Sequence, residues 1–331
     1  MTVVLCMFFA AVSGSGPATV AAIGTMVVPE MLRKGYDKKF ALALVACAGS
    51  IGVIIPPSIP MVIYGVSTGT SISSLFMAGF LPGIWIGITL IVLCYFVCKK
   101  NGWKGDERKY SAKKKLNALW EAKWALINPI IILGGIYAGI FTPTEAAAVA
   151  CIYALLCGMF IYRELNFKQL FEIIANACLT TGTILIIVGC ATAFAKILTI
   201  EKIPNMLTQA IMGMTDSKTV VMLFIIIILL IVGCFMDTTP AMIILAPIFL
   251  PIAKSFGVDP VHFGIIMVVT LAVGFITPPL GVNLFVAARV GNTSLEDVCS
   301  GIIRFIIVMV IDVLVITFIP VISMLLPNLL I

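Results

Sequence analysis

Two short groups of oxygen-bearing residues interrupt otherwise apolar runs: Ser13-Gly14-Ser15-Gly16-Pro17 and Asp237-Thr238-Thr239-Pro240. Each is followed by a proline-centred break, Ile55-Pro56-Pro57-Ser58 after the first and Thr277-Pro278-Pro279-Leu280-Gly281-Val282-Asn283 after the second. Backbone freed from helical hydrogen bonds inside a bilayer is tolerated only where protein or a water-filled cavity satisfies it, and an ionisable residue at that depth marks a site. The chemistry on offer is the holding of ions. Hydroxyls and bare carbonyls are hard oxygen ligands for a small cation, and half-helix N-termini present positive ends to a carboxylate. The first candidate Na⁺ site is therefore Ser13, Gly14 and Ser15 facing Ile55, Pro56 and Ser58. The second is Asp237, Thr238 and Thr239 facing Thr277, Pro279 and Asn283. Ser15, Asp237 and Thr238 are the candidate substrate contacts.

Nothing in the sequence points to bond-making chemistry. No nucleophile with a base, no phosphate loop and no metal-ligand cluster appears, so the chain reads as no enzyme, and no cofactor or metal beyond the Na⁺ of these candidate sites is expected. The ten cysteines are scattered through apolar runs without CxxC or Cys/His spacing and read as small core residues. His262, alone beside Pro260, reads as part of a helix start. Thr142 or Thr144 can cap a helix whose first turn holds Pro143 and Glu145. Asp312 lies mid-span with no break nearby, so a polar partner on a neighbouring helix is expected.

The elements that must position these residues follow from composition. Apolar residues make up 61% of the 331 and charged residues 11%, against roughly 45–50% and about 25% in soluble domains. The chain is an all-α, multi-pass membrane protein, and its continuous apolar runs exclude a barrel with period-two alternation. Met1 to Val12 and Ala18 to Leu32 are each too short to cross about 30 Å of hydrocarbon and form a re-entrant hairpin with its tip at Ser13 to Pro17. Phe40 to Val66 is a helix broken at Ile55 to Pro60, because prolines remove donors and restrain the residues before them. Leu75 to Cys98, Asn128 to Ile140, Ala146 to Tyr162 and Leu170 to Ala195 are spans, and Lys196 to Lys218 is an interfacial connection. Val220 to Ala253 is a second hairpin, Val261 to Ala288 a second broken helix, and Ile302 to Leu326 the last span.

The second set copies the first. At one constant offset Pro29 falls on Pro251, Gly35 on Gly257, Asp37 on Asp259, Gly52 on Gly274, Pro56 and Pro57 on Pro278 and Pro279, and Gly79 on Gly301. Most of the matches are glycines and prolines, so the repeated property is a backbone shape. Repeats that carry paired broken helices point to a secondary transporter's binding site. Five crossings separate the hairpins, an odd number, so the copies are inverted. Charge agrees: with Lys99 to Lys123 in the cytoplasm, every lysine and arginine except Lys196, Lys202, Lys218 and Lys254 falls on that side. That asymmetry orients the protein and explains the net charge of +6 without nucleic acid. Three spans precede the second hairpin and none the first, so the sequence is expected to be N-terminally truncated.

The motifs Ala11-Val12-Ser13-Gly14-Ser15, Pro29-Glu30-Met31 through Gly35-Tyr36-Asp37, Ile54-Ile55-Pro56-Pro57-Ser58, Gly139 through Ala147 and Thr277 through Asn283 resemble the large membrane subunit of tripartite ATP-independent periplasmic (TRAP) transporters. The resemblance covers essentially the whole chain. It implies an ion-transporter-superfamily fold of elevator type in the bacterial inner membrane, coupled to Na⁺. It also implies a small membrane subunit as partner, and a periplasmic binding protein that delivers an organic acid such as a C4-dicarboxylate or sialic acid. The expected division is residues 1–67 and 219–290 as two halves of a transport domain, with 68–218 and 291–331 as scaffold. The alternative is a single-component Na⁺/carboxylate symporter of the wider superfamily, which needs no binding protein.

Overall fold

The computed structural model describes residues 1–103, 105, 117, 120–203, 206, 209, 213 and 215–330. Residues 106–116 of the expected cytoplasmic basic segment, and part of the expected interfacial connection, lie outside the described residues. The described elements are helical, and the contacts divide the chain into two compact units, Met1–Lys104 with Ala191–Ile331, and Gly105–Cys190.

In the larger unit, helices α1 (Thr2–Ser13) and α2 (Gly16–Arg33) form the first hairpin. The turn between them is made at Gly14, whose φ of 61° is a left-handed conformation that other residues adopt only at a cost. Helix α3 (Lys38–Gly49) starts at Asp37, whose carboxylate accepts the Phe40 N–H at 3.0 Å. A single 3₁₀ turn (Ser50–Val53) and an irregular stretch separate it from α4 (Ile59–Thr68). Helix α5 (Ile72–Asn101) then runs without a break.

In the smaller unit, α6 (Lys123–Tyr137) and α7 (Pro143–Leu156) are joined by a tight turn. Thr142 and Glu145 cap α7 reciprocally, each accepting the other's backbone N–H, at 2.8 Å for Glu145 Oε2 and 3.3 Å for Thr142 Oγ1. A π-helical turn (Cys157–Ile161) follows, and then α8 (Phe167–Ile200), of which the part from Ala191 on belongs to the larger unit.

The second copy lies in the larger unit: α9 (Lys218–Gly233), α10 (Thr238–Ser255), α11 (Pro260–Gly274) and α12 (Val282–Gly291). Asp259 caps α11 as Asp37 caps α3, accepting the Val261 N–H at 2.7 Å. The Pro56–Pro57 and Pro278–Pro279 bonds at the two breaks are both cis. Last come α13 (Leu295–Phe318) and α14 (Val321–Leu330).

The main helix packings follow the repeat. Helix α1 packs on α3 as α9 packs on α11, and α2 on α3 as α10 on α11. The distal half-helices are exchanged: α4 packs on α10 of the other copy, and α12 on α2. The long helices cross over likewise, α13 onto α3 and α5 onto α11. This is the pattern of a two-fold axis through the centre of the unit. The core is the pair of proximal half-helices: Phe40 to Gly49 of α3 and His262 to Gly274 of α11 are buried at every position.

Among the described residues five helices are long and apolar enough to cross a membrane: Ile72–Asn101, Pro143–Ile161, Phe167–Leu198, Thr238–Ser255 and Leu295–Phe318. Within the larger unit Phe8, Met26, Ile88 and Phe96 are more than half exposed, a surface suited to lipid.

Three expectations shift. The first break starts at Ser50 rather than Ile55, because the α-helix gives way to the 3₁₀ turn before the prolines are reached. The last span does not run from Ile302 to Leu326. It starts at Leu295, where Ser294 caps it with Glu296 and Asp297 in its first turn, and it ends at Phe318, since Pro320 offers no N–H to continue the ladder. Finally, α8 continues to Ile200, into the expected interfacial connection.

Candidate ion and substrate site

The tip of the first hairpin rests against the first break. The Ile59 N–H donates to Gly14 O at 3.4 Å, and Gly14 is so close to Pro57 that a Cβ there would lie 2.7 Å from the Pro57 carbonyl oxygen. Three oxygens gather at this contact: Ser13 Oγ lies 2.9 Å from Thr19 Oγ1, and Thr19 Oγ1 donates to Ser15 O at 2.8 Å. Facing them is Gly52, where a Cβ would lie 2.6 Å from both Ser15 O and Thr19 Oγ1. The glycine is thus the condition for the tip to close on the 3₁₀ turn. Ser58 takes a different part: buried, it donates to Val53 O at 2.6 Å and caps α4 by accepting the Met61 N–H at 3.4 Å. Ile55 and Pro56 are buried, and the Ile55 side chain fills the space beside Gly83 of α5.

The second hairpin meets its own break through its ascending arm. Leu280 N–H donates to Cys234 O at 3.2 Å, and Gly233 and Gly274 touch backbone to backbone. Asp237 caps α10: its Oδ1 accepts the Thr238 N–H at 2.6 Å and lies 3.3 Å from the Thr238 hydroxyl. The Asp237 carboxylate is exposed, Thr238 buried and Thr239 half-buried. Thr277 Oγ1 donates back to Val273 O at 2.8 Å, and Pro279 is exposed. No hydrogen bond among the described residues ties Asp237 to Thr277.

Asn283 stands elsewhere. The sequence groups it with Asp237, but its amide crosses to the first copy, where Nδ2 donates to Ala46 O at 3.0 Å and to Ser50 Oγ at 3.1 Å. The cause is the exchange of half-helices, which lays α12 on α2 and α3. Its Oδ1 is buried without a hydrogen-bond partner and faces Gly16, where a Cβ would come within 3.3 Å of it. An orphaned buried acceptor is uncommon and calls for an explanation. Thr19, Ser50 and Gly52 also belong to this neighbourhood. Thr19 was open to detection as the residue one helical turn beyond Ser15 on the same face. Gly52 was visible as a repeat match, whereas Ser50 carried no sign beyond its hydroxyl.

Asp312 finds the expected partners. Trp85 Nε1–H donates to Oδ1 at 3.0 Å and Thr89 Oγ1 to Oδ2 at 2.7 Å, bracing α5 against α13. Among the described residues no group of three or more histidine, cysteine or acidic side chains could hold a metal ion.

Two hairpins packed against two broken helices, the first by its tip and the second by its ascending arm, among apolar helices, are the arrangement of a multi-pass membrane transporter subunit. Residues 1–322 match the family described as "Tripartite ATP-independent periplasmic transporter, DctM component", and the chain belongs to that family. It is 50% identical over 98% of its length to the isethionate TRAP transporter permease protein DctMQ of Oleidesulfovibrio alaskensis, of which it covers 51%. It is 40% identical over 98% of its length to the C4-dicarboxylate large permease DctM of Pseudomonas aeruginosa, covering 76% of that protein. The sialic acid large permease SiaM of Vibrio cholerae is 36% identical over 99% of the chain, which covers 77% of it. The chain therefore spans about half of the first relative and about three quarters of the other two.

Proposed function

We propose that this chain carries small organic anions inward across the bacterial inner membrane, driven by Na⁺. It takes them from a periplasmic binding protein and works with a small membrane subunit that braces the scaffold. In this reading residues 1–67 and 219–290 move as an elevator against 68–218 and 291–331. The named substrates of the relatives, isethionate, C4-dicarboxylates and sialic acid, are all acids, so the cargo class is an acid group on a small polar body.

The observation that carries the reading is the oxygen cluster under the first hairpin tip. Ser13 Oγ, Ser15 O and Thr19 Oγ1 lie together there, and the buried Oδ1 of Asn283 faces the adjoining start of α2 without a donor. Hydroxyl, carbonyl and amide oxygens are the ligands a Na⁺ ion needs, and they carry little charge of their own. The second ion position is the Asp237 carboxylate with Thr238 and Thr239, where the carboxylate charge, and not the helix end, attracts the cation and one oxygen is free of the cap. Ser15 and Thr238 stand at the starts of α2 and α10, where helix dipoles favour an anion.

The test is uptake by the full-length permease and its small subunit in proteoliposomes, given the cognate binding protein and a panel of acids. Uptake should follow an inward Na⁺ gradient and not a K⁺ gradient, and Asp237→Ala should abolish it while membrane insertion persists. Uptake that ignores Na⁺ would overturn the coupling. Wild-type uptake by the variant would remove Asp237 from the site.

A further inference from the structure

Where α3 gives way to the 3₁₀ turn, one carbonyl is left over. In a continuing α-helix the Ser50 N–H would reach Ala46 O, but here it bonds to Cys47 O and Ala48 O instead. Ala46 is 0% exposed, out of reach of bulk water, and an unpaired buried acceptor is costly. Asn283 fills the gap: Nδ2 donates to Ala46 O at 3.0 Å and, with its second hydrogen, to Ser50 Oγ at 3.1 Å. A carbonyl only accepts, so the amide nitrogen must face Ala46 and the orientation of the side chain is fixed. Its backbone is held as well, by the bond from Asn283 N–H to Phe275 O at 3.0 Å. One residue thus ties the second break to the first.

The repeat supplies a control within the molecule. At the constant offset Met61 stands in the place of Asn283, and Ala272 in the place of Ser50. A methionine side chain donates nothing and an alanine side chain accepts nothing. There α11 stays helical as far as Gly274, which the repeat lays on Gly52, whereas α3 stops three residues sooner, at Gly49. The early switch goes with the amide.

The switch decides where Gly52 lies. A 3₁₀ turn rises about 2.0 Å per residue and an α-helix about 1.5 Å, so an α-helical run from Ser50 to Gly52 would leave Gly52 about 1.5 Å short and turned by about 60°. Gly52 is the residue on which the first hairpin tip closes, against Ser15 O and Thr19 Oγ1. We infer that Asn283 is a positioning residue for the first Na⁺ position: through Nδ2 it fixes the 3₁₀ turn on which Ser15 and Thr19 are seated. This rests on the Na⁺ reading proposed above, and it moves the part played by Asn283 from the second ion position to the first.

The test uses the purified full-length permease with its small subunit, as wild type, Asn283→Leu and Ser50→Ala. Two quantities are read. One is the apparent Na⁺ dissociation constant fitted from the rise of Tm with Na⁺, at ionic strength held constant with K⁺. The other is amide hydrogen exchange over residues 46–55 without Na⁺. Asn283→Leu is close in size and lacks the amide. Ser50→Ala keeps the amide with its Oδ1 and removes one bond of Nδ2, so a shift there cannot come from a lost Oδ1. The dissociation constant should rise about tenfold in Asn283→Leu and about threefold in Ser50→Ala, with faster exchange in both. A lower Tm with the wild-type dissociation constant in both variants would overturn the inference and leave an amide that serves stability alone. Unchanged exchange would overturn it too. If Asn283→Leu fails to insert, Ser50→Ala carries the same decision. A wild type whose Tm ignores Na⁺ would sink the Na⁺ reading itself, and this inference with it, so the two failures are told apart.

Discussion

Replacing Gly52 with alanine sets a methyl group against the oxygen cluster, and the structure gives the size of the effect. The new Cβ would lie 2.6 Å from Ser15 O and from Thr19 Oγ1, where carbon contacts are comfortable at about 3.5–4.0 Å. Neither neighbour can step aside easily. One is backbone, and the other is a buried hydroxyl held at 2.8 Å by Ser15 O and at 2.9 Å by Ser13 Oγ. The hairpin tip must withdraw instead, by roughly 0.5–1 Å. Overpacking of this kind costs about 1–3 kcal/mol. The restricted unfolded backbone of alanine returns at most ~1 kcal/mol. The net expectation is a loss of about 1–2 kcal/mol, read as a Tm lower by a few °C in the purified full-length protein. The sharper reading is ligand linkage: Na⁺ that binds only the folded site raises Tm with concentration. Gly52→Ala should flatten that rise, because the displaced oxygens belong to the proposed Na⁺ position. Adding Thr19→Ala removes one of the two collisions and should restore part of the stability, with a coupling of about 0.5–3 kcal/mol. A variant with wild-type Tm and wild-type Na⁺ response would refute the reasoning.

Two further outcomes are expected. Asp312→Ala leaves Trp85 Nε1–H and the Thr89 hydroxyl without their acceptor; since Thr89 is half-buried and Trp85 exposed, the two bonds together are expected to cost about 1–3 kcal/mol. Its Tm should fall while the Na⁺ response stays the same, and an altered response would make Asp312 more than a brace. For topology, Lys100→Cys should be labelled from the cytoplasmic face and Lys254→Cys from the periplasmic face, both positions being exposed. Labelling of both from one side would defeat the inverted arrangement.

The features legible in the sequence were those with local causes. Thr142 pairs with Glu145, and the first hairpin turns within Ser13 to Pro17, each through residues a few positions apart. The repeat was legible because glycine and proline constrain backbone wherever they occur. Neighbours set by tertiary exchange were not legible. Asn283 follows Pro279 closely in sequence, yet its amide is used by Ala46 and Ser50 of the other copy. No periodicity announces this, since helices bathed in lipid are apolar on every side and the amphipathic stripe that orients a soluble helix is missing. The ends of α13 were missed for a related reason. A run of hydropathy marks where a helix is oily, whereas its start depended on Ser294 and its end on Pro320.

The crossing of α4 onto α10 and of α12 onto α2 bears on how such a molecule could arise and assemble. A lone copy would leave its re-entrant arm uncovered and its outer half-helix without a seat, with bare oily ridges and grooves at both places. It could complete itself only by meeting a sibling inserted the opposite way up. An ancestral single-copy gene with this architecture would thus have worked as an antiparallel pair, and fusing the two copies would have fixed that partnership in one polypeptide.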